Sequence, residues 1–232
     1  MSVPQLPLAL RYPPEQRLDS YVHAPPGALA LLRALATQAG ADWLYLSGAP
    51  GSGKTHLALA ACAAAEEAGR SASYLPLAAA RSRLAAALEG LERRALVALD
   101  GLEAVAGERA DEVALFDFHN RARSAGTGVL YTAALAPAAL GLVLPDLGSR
   151  LAQCTRLGLQ PLDDAGRAEL LRDRAQRRGL VLEDAAVEWM LTRTGRETGQ
   201  LLALVERLDR ASLAAQRRVT VPFLRQVLAD KP

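Results

Sequence analysis

Cysteine is nearly absent from this chain. The two that occur in 232 residues, Cys62 and Cys154, lie far apart and outside any C-x-x-C spacing. That excludes a disulfide framework and leaves two reduced, mostly buried thiols as the expectation. Histidine is as scarce, and His23, His56 and His119 show no metal-ligand spacing, so nothing points to a zinc or other transition-metal centre. No apolar run reaches the length of a membrane span, and Met1-Ser2-Val3-Pro4-Gln5 lacks the basic and hydrophobic regions of a signal peptide. The expected location is cytoplasmic, with no membrane partner. Charge of one sign is also missing: the formal net charge is +2, with no long block of like charge, so composition implies no nucleic-acid partner. What is plentiful is hydrophobic residues, 50% of the chain. That is enough to exclude disorder throughout and to bury the core of one domain, or of one domain plus a small helical appendage.

The most informative stretch is Trp43-Leu44-Tyr45-Leu46-Ser47-Gly48-Ala49-Pro50-Gly51-Ser52-Gly53-Lys54-Thr55, followed by an alanine-rich helical run from His56. It reads as strand, glycine loop, helix, and Gly48-x-x-x-x-Gly53-Lys54-Thr55 meets every position of the phosphate-binding loop pattern. Glycines allow a tight turn with converging N–H groups, and the helix N-terminus adds a positive field, so a di- or triphosphate is held there. The nucleotide-binding candidates are therefore Gly48, Pro50, Gly51, Ser52, Gly53, Lys54, Thr55 and His56, for ATP or ADP. Lys54 reaches the outer phosphates and the Thr55 hydroxyl ligates Mg²⁺.

Along the rest of the chain, strands and helices alternate. A helix is expected over 27–39, strands over 72–77, 95–100, 129–132 and 155–159, and a helix over 78–88; with the strand before the loop, this makes a five-stranded parallel α/β sheet. The run Ala95-Leu96-Val97-Ala98-Leu99-Asp100 is a buried central strand closed by an acid, which makes Asp100 the second Mg²⁺ ligand. Many nucleotide hydrolases place another acid directly after the first, but here Gly101 follows; without a side chain to direct water, unaided hydrolysis should be slow. Glu103 is near in sequence, though its spacing gives no reason to expect a substitute. Thr132 closes a strand with a hydroxyl that could sense the outer phosphate. Arg150 follows in a short helical segment over 144–151, where a salt bridge to Asp146 at i and i+4 is the bland alternative. From Asp163 onward only helices are expected (165–178, 184–194, 197–216, 222–229), their arginines interleaved with acids as on a solvated surface. The chain thus divides into an extended tail over 1–16, an α/β domain over 17–160 and a helical domain over 161–232. Within the tail, Gln5, Leu6, Leu8 and Leu10 would place leucines on one side of an extended peptide, suited to a pocket, to its own domain, or to no fixed structure.

The loop, the strand-terminal Asp100 and Thr132, Ser149-Arg150 and a helical lid carrying Arg196 resemble an AAA+ module of the initiator clade. The segments 144–151, 99–107 and 208–217 are similar to the regulatory branch of the DnaA/Hda family, over nearly the whole chain. The resemblance implies an AAA+ P-loop fold with a small all-α lid domain. It makes Arg150 an arginine finger acting in trans, Arg196 the lid sensor, Thr132 the first sensor, and Gln5, Leu6, Leu8 and Leu10 a peptide docking on the DNA polymerase sliding clamp (its beta subunit). The implied activity is negative regulation of replication initiation: hydrolysis of ATP on the initiator DnaA is stimulated, with weak or no intrinsic turnover. A homo-oligomer stays open. No room is expected past Pro232 for a DNA-binding helix-turn-helix, so direct sequence-specific DNA binding is not expected. Two alternatives remain: a helicase loader or DNA-remodelling ATPase, and a passive nucleotide-binding adaptor.

Overall fold

The computed structural model describes residues 16–193, 198–215 and 220–229. The chain separates into two compact units, divided in sequence between Gln160 and Pro161.

In the first unit the strands are β1 (Leu44–Gly48), β2 (Ala72–Pro76), β3 (Leu96–Asp100), β4 (Gly128–Ala133) and β5 (Thr155–Leu159). All pairings are parallel and the spatial order is β2-β3-β4-β1-β5. Because side chains alternate across a strand, each strand feeds two cores. Tyr45, Val97, Leu99, Val129 and Tyr131 point to one face, where α5 (Arg109–Ala125) and α6 (Pro145–Ala152) lie. Leu44, Leu46, Leu96, Ala98 and Leu130 point to the other, against α1 (Ala28–Thr37) and α2 (Lys54–Glu67). Covering both faces with helices is what allows near-continuous apolar strands such as β3. On the first face, the Trp43 and His119 rings pack in a T-shape with centroids 4.6 Å apart, His119 Nδ1 lies 3.1 Å from the Tyr131 hydroxyl, and the Arg123 guanidinium covers Trp43 at 4.5 Å.

The single helix expected over 78–88 does not form. Two short helices take its place, α3 (Leu77–Ala80) and α4 (Leu84–Ala87), because Arg81 is extended and Ser82 adopts a left-handed φ of 62°. The break lets Leu77, Ala80, Leu84 and Leu88 all enter one core, a gain that outweighs the helix preference of alanine.

The second unit holds α7 (Asp164–Arg177), α8 (Asp184–Arg193), α9 (Thr198–Ala215) and α10 (Val221–Ala229). Asp163 caps α7, accepting from the Gly166 N–H at 2.7 Å. The core is Leu171, Val187, Met190, Leu201, Val205, Leu208 and Leu224 with their neighbours. Several of its arginines are ion-paired: Arg172 with Asp184, Arg177 with Asp173, and Arg178 with Glu206 and Asp209. Among the described residues no helix is long and apolar enough to cross a membrane.

Candidate nucleotide-binding site

The loop between β1 and α2 has the geometry its glycines allow. A Cβ at Gly48 would lie 2.5 Å from the Leu159 carbonyl oxygen and 2.7 Å from Ser52 Oγ, so the chain can leave β1 this close to β5 only without a side chain. Gly51 and Gly53 take left-handed φ values of 78° and 87°, open to glycine at little cost. Ala49 and Pro50 form the exposed tip. The first-turn N–H groups of α2 have no acceptor within the helix, and the helix dipole makes this end positive. Lys54 Nζ folds over the loop, donating to the carbonyls of Gly48 and Ala49 at 2.6 and 3.1 Å. Ser52 Oγ is buried with no hydrogen-bond partner among the described residues. An ammonium resting on backbone carbonyls and an orphaned hydroxyl in a ring of donors fit a phosphate group.

Opposite the loop, at the carboxyl ends of β3 and β4, Asp100 gathers the polar side chains. Its Oδ2 accepts from Thr55 Oγ1 at 2.8 Å and from the Tyr74 phenol at 2.8 Å, while Oδ1 accepts from Thr132 Oγ1. The Thr55 hydroxyl and the Asp100 carboxylate are thus adjacent hard oxygen donors, which fit Mg²⁺. Thr132 is fully buried and also accepts from the Gly101 N–H at 3.0 Å. Its hydroxyl proton is given to Asp100, so it orients that acid. Burial first, then the Asp100 charge and hydrogen bond, push the Tyr74 phenol well above its usual pKa, so it donates throughout the physiological range.

The loop is also held from outside. A 3-10 turn at Leu18–Ser20 leads to Tyr21, whose phenol donates to the Ser52 carbonyl at 2.6 Å. The ring lies against Gly53, where a Cβ would meet Cε2 at 2.5 Å; burial raises the phenol to about 12. His56 turns its ring toward this turn, with Nε2 3.0 Å from the Arg17 carbonyl oxygen and 3.4 Å from Ser20 Oγ. What it can offer a phosphate is its backbone N–H. Tyr21 and Tyr74 carry no motif, and only the strand order and the fold-back of the turn bring them to the site.

Arg150 stands apart from this set. It is exposed on α6, and among the described residues its guanidinium has neither an ion-pair nor a hydrogen-bond partner; the pairing with Asp146 is not made. Leu147 and Leu151 anchor α6 in the core. Its entry is fixed by Glu112, fully buried on α5, whose carboxylate accepts from the N–H groups of Val143 and Leu144 at 3.1 and 2.7 Å and of Gly107 at 2.7 Å. Arg196 and the tail residues Gln5, Leu6, Leu8 and Leu10 lie outside the described residues.

Comparison with known proteins bears on the whole arrangement. Residues 164–228 match the family model described as the Hda lid domain. Among solved structures, domain III of the Thermotoga maritima replication initiation protein DnaA is similar with a TM-score of 0.76 and 17% identity, covering 96% of this chain and 100% of that one. AMPPCP-bound DnaA from Aquifex aeolicus has a TM-score of 0.67 at 18% identity, over 87% of this chain and 67% of that one. The Thermotoga maritima RuvB Holliday junction branch migration motor has 0.66 at 21%, over 94% and 72%. At these identities the structural likeness shows a shared fold.

Proposed function

We propose that this chain, a DnaA/Hda-like AAA+ protein, is a regulator of replication initiation that binds ATP or ADP with Mg²⁺ and presents Arg150 to ATP held by the initiator DnaA. Its own site supplies the phosphate ligands Lys54 and Ser52 and the loop N–H groups, with Thr55 and Asp100 as metal ligands. Bound Mg²⁺ would neutralise charge on the outer phosphates. Gly101 leaves no side chain directly after Asp100, so turnover on this chain is slow. Arg196 serves as the lid sensor, and Gln5, Leu6, Leu8 and Leu10 dock on the sliding clamp, which brings the protein to loaded DNA.

The observation that carries this reading is the exposed, unpaired Arg150. A guanidinium on a helix whose entry is fixed by the buried Glu112 carboxylate, yet without an ion-pair or hydrogen-bond partner among the described residues, is suited to a phosphate on a neighbouring molecule. There it would stabilise charge developing on the transferred phosphoryl oxygens, a contribution of about 10³- to 10⁵-fold in comparable enzymes. The match of the lid to Hda supports the same assignment.

The test is phosphate release from ATP-loaded initiator in the presence of DNA-loaded clamp. Wild type should stimulate release, whereas Arg150→Ala and Arg150→Lys should bind nucleotide and clamp normally and fail to stimulate, since an ammonium lacks the planar fork. Normal stimulation by Arg150→Ala would remove this arginine from the mechanism. Turnover driven by DNA alone would favour a loader or remodelling ATPase instead.

A further inference from the structure

Gly101 removes the side chain that would stand after Asp100, yet the space beside it is not without a carboxylate. A Cβ built at 101 would have one neighbour within 4 Å, Oε1 of Glu103 at 4.0 Å. Glu103 belongs to a 3-10 turn, Leu102–Ala104, that starts from Gly101 in a left-handed conformation, with the Ala104 N–H bonded to the Gly101 carbonyl at 3.0 Å. The turn folds the chain back over the strand ends. Glu103 Oε2 then accepts from the Ala134 N–H at 3.0 Å, just past the end of β4 and two residues beyond Thr132. Its negative charge is also felt by the Tyr45 phenol, which donates to the Leu135 carbonyl at 2.8 Å. The side chain is exposed, and Oε1 has no hydrogen-bond partner among the described residues. A carboxylate is thereby pinned by one oxygen at the carboxyl ends of β3 and β4, beside the position that follows Asp100, with its other oxygen free of hydrogen bonds among the described residues.

The geometry points to Glu103 as the water-orienting base for slow hydrolysis of ATP on this chain, standing in for the acid absent at 101; the inference rests on the nucleotide-binding reading above. In the step, a water donates a hydrogen bond to Glu103 Oε1 and its oxygen bonds to the γ-phosphorus. The bond from that phosphorus to the β,γ-bridging oxygen breaks, and its electron pair leaves with ADP. The water proton passes to the Glu103 carboxylate and on to the released phosphate, so the residue is regenerated. Because the carboxylate arrives from a turn two residues on, it is tethered by one backbone N–H. Turnover is therefore slow but not zero.

The experiment follows single-turnover hydrolysis of ATP with Mg²⁺ by the full chain, comparing wild type, Glu103→Gln and Glu103→Asp, with ATP affinity and melting temperature measured on each. Glutamine keeps an oxygen for the Ala134 N–H but cannot take a proton. Glu103→Gln should lose at least about tenfold in rate from a wild-type value below about 1 s⁻¹. Its ATP affinity should stay within about twofold of wild type, and its melting should be unchanged. Glu103→Asp, one methylene shorter, should fall between. A residue that only braced the turn would move melting and affinity together with the rate. Equal rates for wild type and Glu103→Gln overturn the inference, as does a wild type that binds ATP and never turns over. A wild type that binds neither ATP nor ADP overturns the nucleotide-binding reading itself and this inference with it, one that binds ADP but not ATP overturns this inference alone, and affinities measured for both nucleotides tell these outcomes apart.

Discussion

The Tyr74 phenol donates to Asp100 Oδ2 at 2.8 Å, the oxygen on which the Thr55 hydroxyl also converges. The carboxylate plane is therefore set by β2 as well as by its own strand, since Leu75 pairs with Leu99 and Pro76 with Asp100. Tyr74→Phe keeps the ring and removes one hydrogen bond to a charged acceptor, an interaction worth about 1.5–3 kcal/mol. Part of that loss should appear as a roughly tenfold weaker dependence of nucleotide affinity on Mg²⁺, read by calorimetry with and without the metal. An unchanged Mg²⁺ dependence would reduce Tyr74 to packing.

Glu112 makes a different prediction, because it binds no ligand. Glu112→Ala removes the shared acceptor of the part-buried N–H groups of Gly107, Val143 and Leu144, each bond to a charged acceptor being worth about 1.5–3 kcal/mol at most. Denaturant unfolding should show a loss of at least about 2 kcal/mol. In the folded fraction, stimulation of the initiator through Arg150 should fall while nucleotide affinity holds, since none of the Glu112 hydrogen bonds reaches the phosphate loop between β1 and α2. Loss of both in equal measure would mean that Glu112 supports the whole unit and not α6 in particular.

His119 makes stability depend on pH. Burial, then the Arg123 and Arg150 charges, lower it from 6.5 to about 4, so the folded protein holds it neutral where the unfolded chain already takes a proton. Stability contributed by the neutral ring is present above about pH 6.5 and is lost as pH falls toward 4, by on the order of 2–3 kcal/mol. Urea unfolding of wild type between pH 7 and 4 should show that decline, and His119→Gln should show a shallower one. Parallel curves would mean that the ring is protonated in the folded state.

The phosphate loop is legible in sequence because everything it needs is contiguous: glycines where φ turns positive, then a lysine and a hydroxyl on the first helical turn. Asp100 is legible for a related reason, as a charge closing an apolar run. Tyr21 and Tyr74 are not, since each acts across a gap in sequence that only the strand order or the fold-back of the 3-10 turn closes. Glu103 could be noticed but not placed, because its spacing from Asp100 says nothing until the left-handed residue between them is known. The failed helix over 78–88 teaches the converse. Its alanines favour a helix, but burial of Leu77 and Leu88 on the same core decides the path, and Ser82 takes the strained conformation that this requires.

Gly101 has a consequence for how such a chain can change over generations. Its φ of 85° and ψ of 59° are left-handed, a conformation that costs a residue with a side chain about 1–2 kcal/mol. A glutamate substituted there would also bring a second carboxylate up to Glu103 Oε1. There is room for the atoms, but neither the backbone nor the local charge welcomes them. If hydrolysis on this chain is slow as proposed, a single acidic substitution at 101 would meet both of these costs at once, and an acid placed there would first need the turn rebuilt. The main chain at 101, which point mutation reaches poorly, would then hold the site in its present form.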